Sequence, residues 1–133
     1  MDALLNKILM RGADDWVMAC EVVSVAKAEG GASTEAEIRD LSIRLIRQLI
    51  KRGLVEIGDV TETGFRPWNL PVEEAMMRVE RDWRMLQRSP SLGDVCWLQN
   101  TPEGDSRAKL LLADGTDTKE GATARRRPER MKP

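Results

Sequence analysis

Arginine and tryptophan are the side chains with the most chemical reach in this chain, because histidine and tyrosine are both absent. Arg44, Arg47 and Lys51 recur at three- and four-residue spacing, so a helix would gather them into one basic stripe. Such a stripe can lie along a phosphate backbone, and Arg66 on a following hairpin could extend it. A second candidate set is Arg66, Trp68 and Trp97. The two tryptophans sit near strand ends or loops, where the ring can stay half exposed and anchor a protein partner. Trp16 and Trp83 fall on apolar helical stripes and read as core. With four Trp, one Phe and no Tyr, core-edge packing is the simpler reading of Trp68 and Trp97 as well.

Catalysis finds little to use. Without imidazole there is no Ser-His or Cys-His nucleophile pair, no zinc site with His ligands and no proton shuttle near neutral pH. Cys20 and Cys96 are too few for a structural zinc site or a disulfide framework, and Cys20 lies on an expected buried stripe with no base beside it. The pairs Asp14-Asp15 and Glu73-Glu74 both fall at expected helix starts, where negative charge favours the helix dipole. No glycine-rich phosphate loop occurs. The expectation is a non-enzyme with no cofactor and no metal.

Charge weighs against nucleic acid as the main partner. Lys and Arg total 21 against 22 Asp and Glu, a formal net charge of −1. Between Ser33 and Trp68, Arg39, Arg44, Arg47, Lys51, Arg52 and Arg66 are matched one for one by Glu35, Glu37, Asp40, Glu56, Asp59 and Glu62. Asp40 and Glu37 fall in the same arc as the basic stripe, and Asp40–Arg44 has the spacing of an ordinary intrahelical ion pair. A solvated face is therefore preferred to a duplex-binding one. Positive excess gathers near the C-terminus, around Arg125-Arg126-Arg127, and such a run reads first as soluble disorder.

The elements that must position these residues can be read from periodicity and punctuation. At 133 residues and 41% hydrophobic content, the chain has the size and composition of one domain with one core. Leu4, Leu5, Ile8 and Leu9 define a first helix over 1–11, with Asp2 available as its cap and Gly12 as its stop. Trp16, Ala19, Cys20, Val23 and Ala26 predict a second helix from Asp14 to Gly30-Gly31. Thr34 and Glu37 have capping-box spacing, and the apolar residues from Ile38 to Ile50 then cover an arc of about 200°. A helix that apolar must be wedged between neighbours on two sides, so it should be the centre of the fold.

Gly53 ends that helix. Leu54 to Ile57 and Phe65 to Trp68 read as two strands, with turn chemistry at Gly58-Asp59 and Thr63-Gly64. Pro67 restricts the second strand to an edge. Pro71, beside the poor cap Leu70, opens a fourth helix through Leu86, with Glu74–Arg78, Arg78–Asp82 and Glu80–Arg84 spaced for ion pairs. Val95 to Leu98 can be a strand or a helical turn. Thr101-Pro102-Glu103 opens a last helix, with Leu110 to Leu112 as its buried end. The expected organisation is a domain over 1–113 and a flexible basic tail over 114–133. No membrane span or signal-peptide pattern is visible, so the expected location is the cytoplasm.

Asp14-Asp15-Trp16-Val17, Gly58-Asp59-Val60, Gly64-Phe65-Arg66-Pro67-Trp68, Val95-Cys96-Trp97-Leu98 and Asn100-Thr101-Pro102-Glu103-Gly104 together resemble a group of small uncharacterised bacterial proteins with a winged-helix-like layout. The likeness covers roughly residues 1–112, and Leu70 departs from it where a Ser-like cap would be expected. It implies a mainly α, winged-helix-like domain with a small antiparallel β-hairpin and a disordered C-terminal tail, and assigns no activity to any residue. Small bacterial proteins of this kind include immunity proteins that block a toxin. The leading expectation is a non-catalytic protein-binding module, with immunity or regulation as its role and another protein as partner. A second copy of the chain is another candidate partner. The alternative is a winged-helix DNA-binding transcriptional regulator using Arg44, Arg47, Lys51 and Arg66.

Overall fold

The computed structural model describes residues 1–114. In chain order its elements are α1 (Asp2–Gly12), β1 (Val17–Met18), α2 (Ala19–Ala28), α3 (Glu35–Lys51), β2 (Val55–Thr61), β3 (Gly64–Pro67), α4 (Val72–Leu86), β4 (Trp97–Asn100) and α5 (Pro102–Ala113). The domain is mainly α, with one small antiparallel sheet in the order β1-β4-β2-β3. The tail expected over 114–133 lies outside the described residues from position 115 onward.

Helix α3 is the axle that its apolar arc predicts. Thr34 Oγ1 accepts from Glu37 N at 3.1 Å, while Glu37 Oε1 accepts from the backbone N–H groups of Ser33 and Thr34. Those N–H donors hold the Glu37 carboxyl below the usual carboxylate range. Leu45, Ile46 and Leu49 are fully buried, each contributing about 1.5–3 kcal/mol by leaving water. Helices α1, α2 and α4 and strand β2 all contact α3. Gly53, at φ 72°, ends it in the left-handed region that favours glycine.

Four local expectations change. Asp2 does not cap α1: it lies inside the first turn and accepts from Arg52 Nη1 at 2.9 Å. Helix α2 begins at Ala19, not Asp14, because Val17 and Met18 pair with Leu98 and Trp97 in a ladder that no local pattern announces. Glu21 then closes the start of α2 by accepting from Met18 N at 3.1 Å. Cys20 is half-buried, and Val22 and Val25 take the core positions beside Val23 and Ala26. Gly58-Asp59 is strand, not turn. A Cβ at Gly58 would lie 2.2 Å from the Arg66 carbonyl oxygen, so glycine there permits the close approach of β2 and β3.

The expected hairpin is thus β2–β3, turning at Glu62-Thr63, and β4 adds to its other edge through Ile57↔Leu98 and Gly58↔Trp97. Of the piece from Val95 to Leu98, Val95 and Cys96 form a turn, and Trp97 and Leu98 open strand β4, where both neighbouring strands offer backbone partners. Helix α4 takes Pro71 as its N-cap, and Leu70 stays exposed outside it. In α5, Thr101 Oγ1 accepts from Gly104 N at 3.1 Å. Its contact with the core is made by Gly104 and Ala108, while Leu110, expected to be buried, is 71% exposed. No helix among the described residues is long and apolar enough to cross a membrane.

Candidate functional site

The pleat separates the candidate residues into two groups. Side chains directly opposite across a ladder share a face, and successive residues alternate. Val17, Leu98, Ile57 and Val55 face the helices and are buried. Asp59 and Arg66, paired directly, share that inner side at the sheet's edge. Trp97 lies opposite Gly58, which lies opposite Pro67, so Trp97 belongs to the outer face. There Trp97, Gln99, Val60 and Phe65 are half-buried, and Glu56 and Pro67 are exposed. Gln99 Oε1 accepts from the indole N–H of buried Trp16 at 2.9 Å, which ties this face to β1.

Arg66, Trp68 and Trp97 therefore do not make one patch. Trp97 is the first residue of the central strand β4, a strand end as expected. Trp68 packs against the core edge, and its backbone N–H donates to the Ile57 carbonyl at 3.0 Å. The Arg78 guanidinium sits 3.8 Å from the Trp68 ring centroid, and Asp59 and Asp82 flank the same guanidinium at 3.6 and 3.9 Å. Of the three, Arg66 is the exposed one. Cys96 is buried behind this cluster. Burial first, then the nearby Asp59 and Asp82 carboxylates, push its thiol up to about 12, so it stays protonated and unreactive at neutral pH.

A tight turn aims Trp97. Cys96 N donates to the Asp94 carbonyl across Val95, which is held at φ 70°, a strained conformation for a β-branched residue. Asp94 organises the preceding loop: its Oδ2 accepts from Ser91 N, Ser91 Oγ and Arg88 Nη1 at 2.8–3.0 Å. The Ser91 N–H, followed by Arg88, holds the Asp94 carboxyl below its ordinary range.

The basic stripe on α3 is not a free ridge either. Arg47 Nη1 reaches both carboxylate oxygens of Glu73 at 2.6 and 2.7 Å, and Nη2 lies 3.7 Å from Glu80. The Arg47 hydrogen bond holds Glu73 below the usual carboxylate range. Asp40 pairs with Arg39 at 3.1 Å rather than with Arg44. Glu80 faces Arg47, and of the three spacings expected within α4, Arg78–Asp82 is the one that closes to ion-pair distance among the described residues. Arg44 and Lys51 are both exposed on the same helix, whereas Arg66 is on the far hairpin strand.

Sequence reasoning missed Arg39, Arg84 and Arg78 as partners of these surfaces. Their signal was available only as helical spacing on α3 and α4, and spacing does not say which helix lies opposite. Among the described residues no cluster of three or more His, Cys, Asp or Glu could hold a metal ion. No family model, curated protein or solved structure matches the chain.

Proposed function

We propose that this chain is a non-catalytic protein-binding module, a variant winged helix that neutralises or regulates its partner. The order α1-β1-α2-α3-β2-β3, with the hairpin following the central helix, supports the winged-helix reading. The observation that carries the binding role is the outer sheet face. Trp97 sits at its middle with Val60, Phe65 and Pro67, in a rim of Glu56 and Gln99. Half-exposed aromatic side chains on a rigid strand lose little entropy on binding and are frequent interface anchors.

A DNA-binding regulator through Arg44, Arg47, Lys51 and Arg66 has weaker support. Arg47 is already neutralised by Glu73 and Glu80, and α4 lies along the α3 face that would have to enter a groove. Photo-crosslinking from position 60, on the same outer face, in the source cells tests the reading. One specific protein should be recovered, and both Trp97→Ala and Phe65→Ala should abolish its capture while leaving the fold intact by circular dichroism. Tight binding to random duplex DNA, falling steeply with added salt, would instead move the assignment to the regulator.

A further inference from the structure

A groove of about 550 Å³ runs between α3 and α4, lined by Arg39, Asp40, Ile43, Arg44, Arg47, Glu80 and Arg84. The two helices run antiparallel, since Arg47 near the end of α3 meets Glu73 at the start of α4. Four guanidinium groups face Asp40 and Glu80 there, and Glu73 reaches Arg47 from the end of the groove, which leaves an excess of one positive charge. The four are not equivalent. Arg47 is pinned by Glu73 and Glu80, and Arg39 by Asp40. Arg44 and Arg84 form no ion pair among the described residues and are exposed. Half-buried Ile43 supplies an apolar patch between them.

We propose that this groove binds a phosphorylated side chain carried on an extended segment of the partner protein. The inference rests on the protein-binding reading and gives that partner a chemistry. A phosphomonoester above its second ionisation carries close to two negative charges and three acceptor oxygens, which suits the two guanidiniums, Arg44 and Arg84, that form no ion pair among the described residues, and the forked donors of arginine. A single carboxylate would bring one negative charge to those two guanidiniums. The groove is open, and it continues into a depression of about 250 Å³ that shares Arg39 and Arg84 and adds Arg88. An isolated small anion would stay largely solvated there, whereas a chain segment can follow the groove and use Ile43 and the Trp83 edge. A nucleic-acid strand fits less well. Its evenly repeated phosphates would meet Glu35, Asp40, Glu73 and Glu80 along the same line.

The test titrates the full chain with a degenerate peptide library bearing one central phosphoserine. The unphosphorylated library, inorganic phosphate and a single-stranded oligonucleotide serve as the other arms. The phosphorylated library should bind roughly tenfold tighter than the unphosphorylated one, and Arg44→Gln with Arg84→Gln should remove that preference. Arg44→Lys with Arg84→Lys should restore part of it, since charge returns without the fork. Trp97→Ala should leave it unchanged. Equal binding of the two libraries, full competition by inorganic phosphate at matched concentration, or tighter binding of the oligonucleotide each overturns the proposal. Capture of the crosslinked partner that survives both phosphatase and the double Gln variant sinks this inference while leaving the sheet-face reading standing. Capture that is lost on phosphatase treatment but indifferent to Trp97→Ala does the reverse.

Discussion

Two regions of the domain are held together by opposite means. Where α1, β4 and α5 meet, backbones approach so closely that there is no room for a Cβ. One at Gly104 would lie 2.1 Å from the Leu54 carbonyl oxygen, and one at Gly12 would lie 2.3 Å from Asn100 Oδ1. Buried Asn100 donates to the Leu9 carbonyl at 3.0 Å, so even the polar group is used in packing. Between α3 and α4 the buried contact is supplemented at the surface by charge, through Arg47, Glu73 and Glu80, around an open groove. The first region is specified by shape and tolerates no added atoms. The second is specified by groups that water also solvates, so it can change with little loss of stability and is free to carry a ligand.

That contrast can be broken at graded cost. Gly104→Ala drives a methyl into the Leu54 backbone, which cannot move aside as a flexible side chain could. About 3 kcal/mol or more should be lost, read as a large drop in the urea midpoint. An unchanged midpoint would mean that the corner is looser than its distances say. Asn100→Ala relieves no clash and leaves the Leu9 carbonyl without that donor, so about 1–3 kcal/mol should go. Thr34→Ala removes the α3 cap and should cost about 1 kcal/mol, a value between the two regions because a cap is local. Arg47→Gln should cost less than about 1 kcal/mol, and high salt should shrink the difference further. A loss from Arg47→Gln equal to that from Gly104→Ala would erase the comparison.

Acid sharpens it from another side. Glu73, Glu37, Asp2 and Asp94 all have carboxyls held below their ordinary values, by Arg47, by the Ser33 N–H, by Arg52 and by the Ser91 N–H respectively. A group depressed in the folded state contributes stability that is fully present above its unfolded pKa and is lost as pH falls through the folded one. Stability should therefore be level from neutrality to about pH 5 and decline below about pH 4. Repeating the titration with Glu73→Gln should flatten part of that decline, and with Asn100→Ala it should not. The midpoint in urea at each pH is the measurement.

The legible part of the fold was the part encoded within a few residues. Thr34 with Glu37, Thr101 with Pro102, and Gly53 at a positive φ are caps and stops whose chemistry is complete locally, and each stands where its spacing places it. The apolar arc of α3 also marked it as central, since nothing but neighbours on several sides can cover such a width. The helix expected from Asp14 to Gly30-Gly31 loses its first turn, through Met18, for a matching reason. Val17 and Met18 have apolar side chains that suit either state, and their pairing with Leu98 and Trp97 lies far along the chain.

The same division runs through the candidate site. Residue type and spacing determined that α3 would carry Arg44, Arg47 and Lys51 on one side and that Trp83 would be core, because helical periodicity is a property of the local backbone; Trp16 is also buried, but outside the helix whose stripe was to bury it. Tertiary structure alone decided that Trp97 faces away from Arg66, that Arg78 covers Trp68, and that Glu73 and Glu80 claim Arg47. Strand register and helix pairing depend on which distant segments meet. That choice is made by the packing of the whole core, and no short stretch of residues contains it.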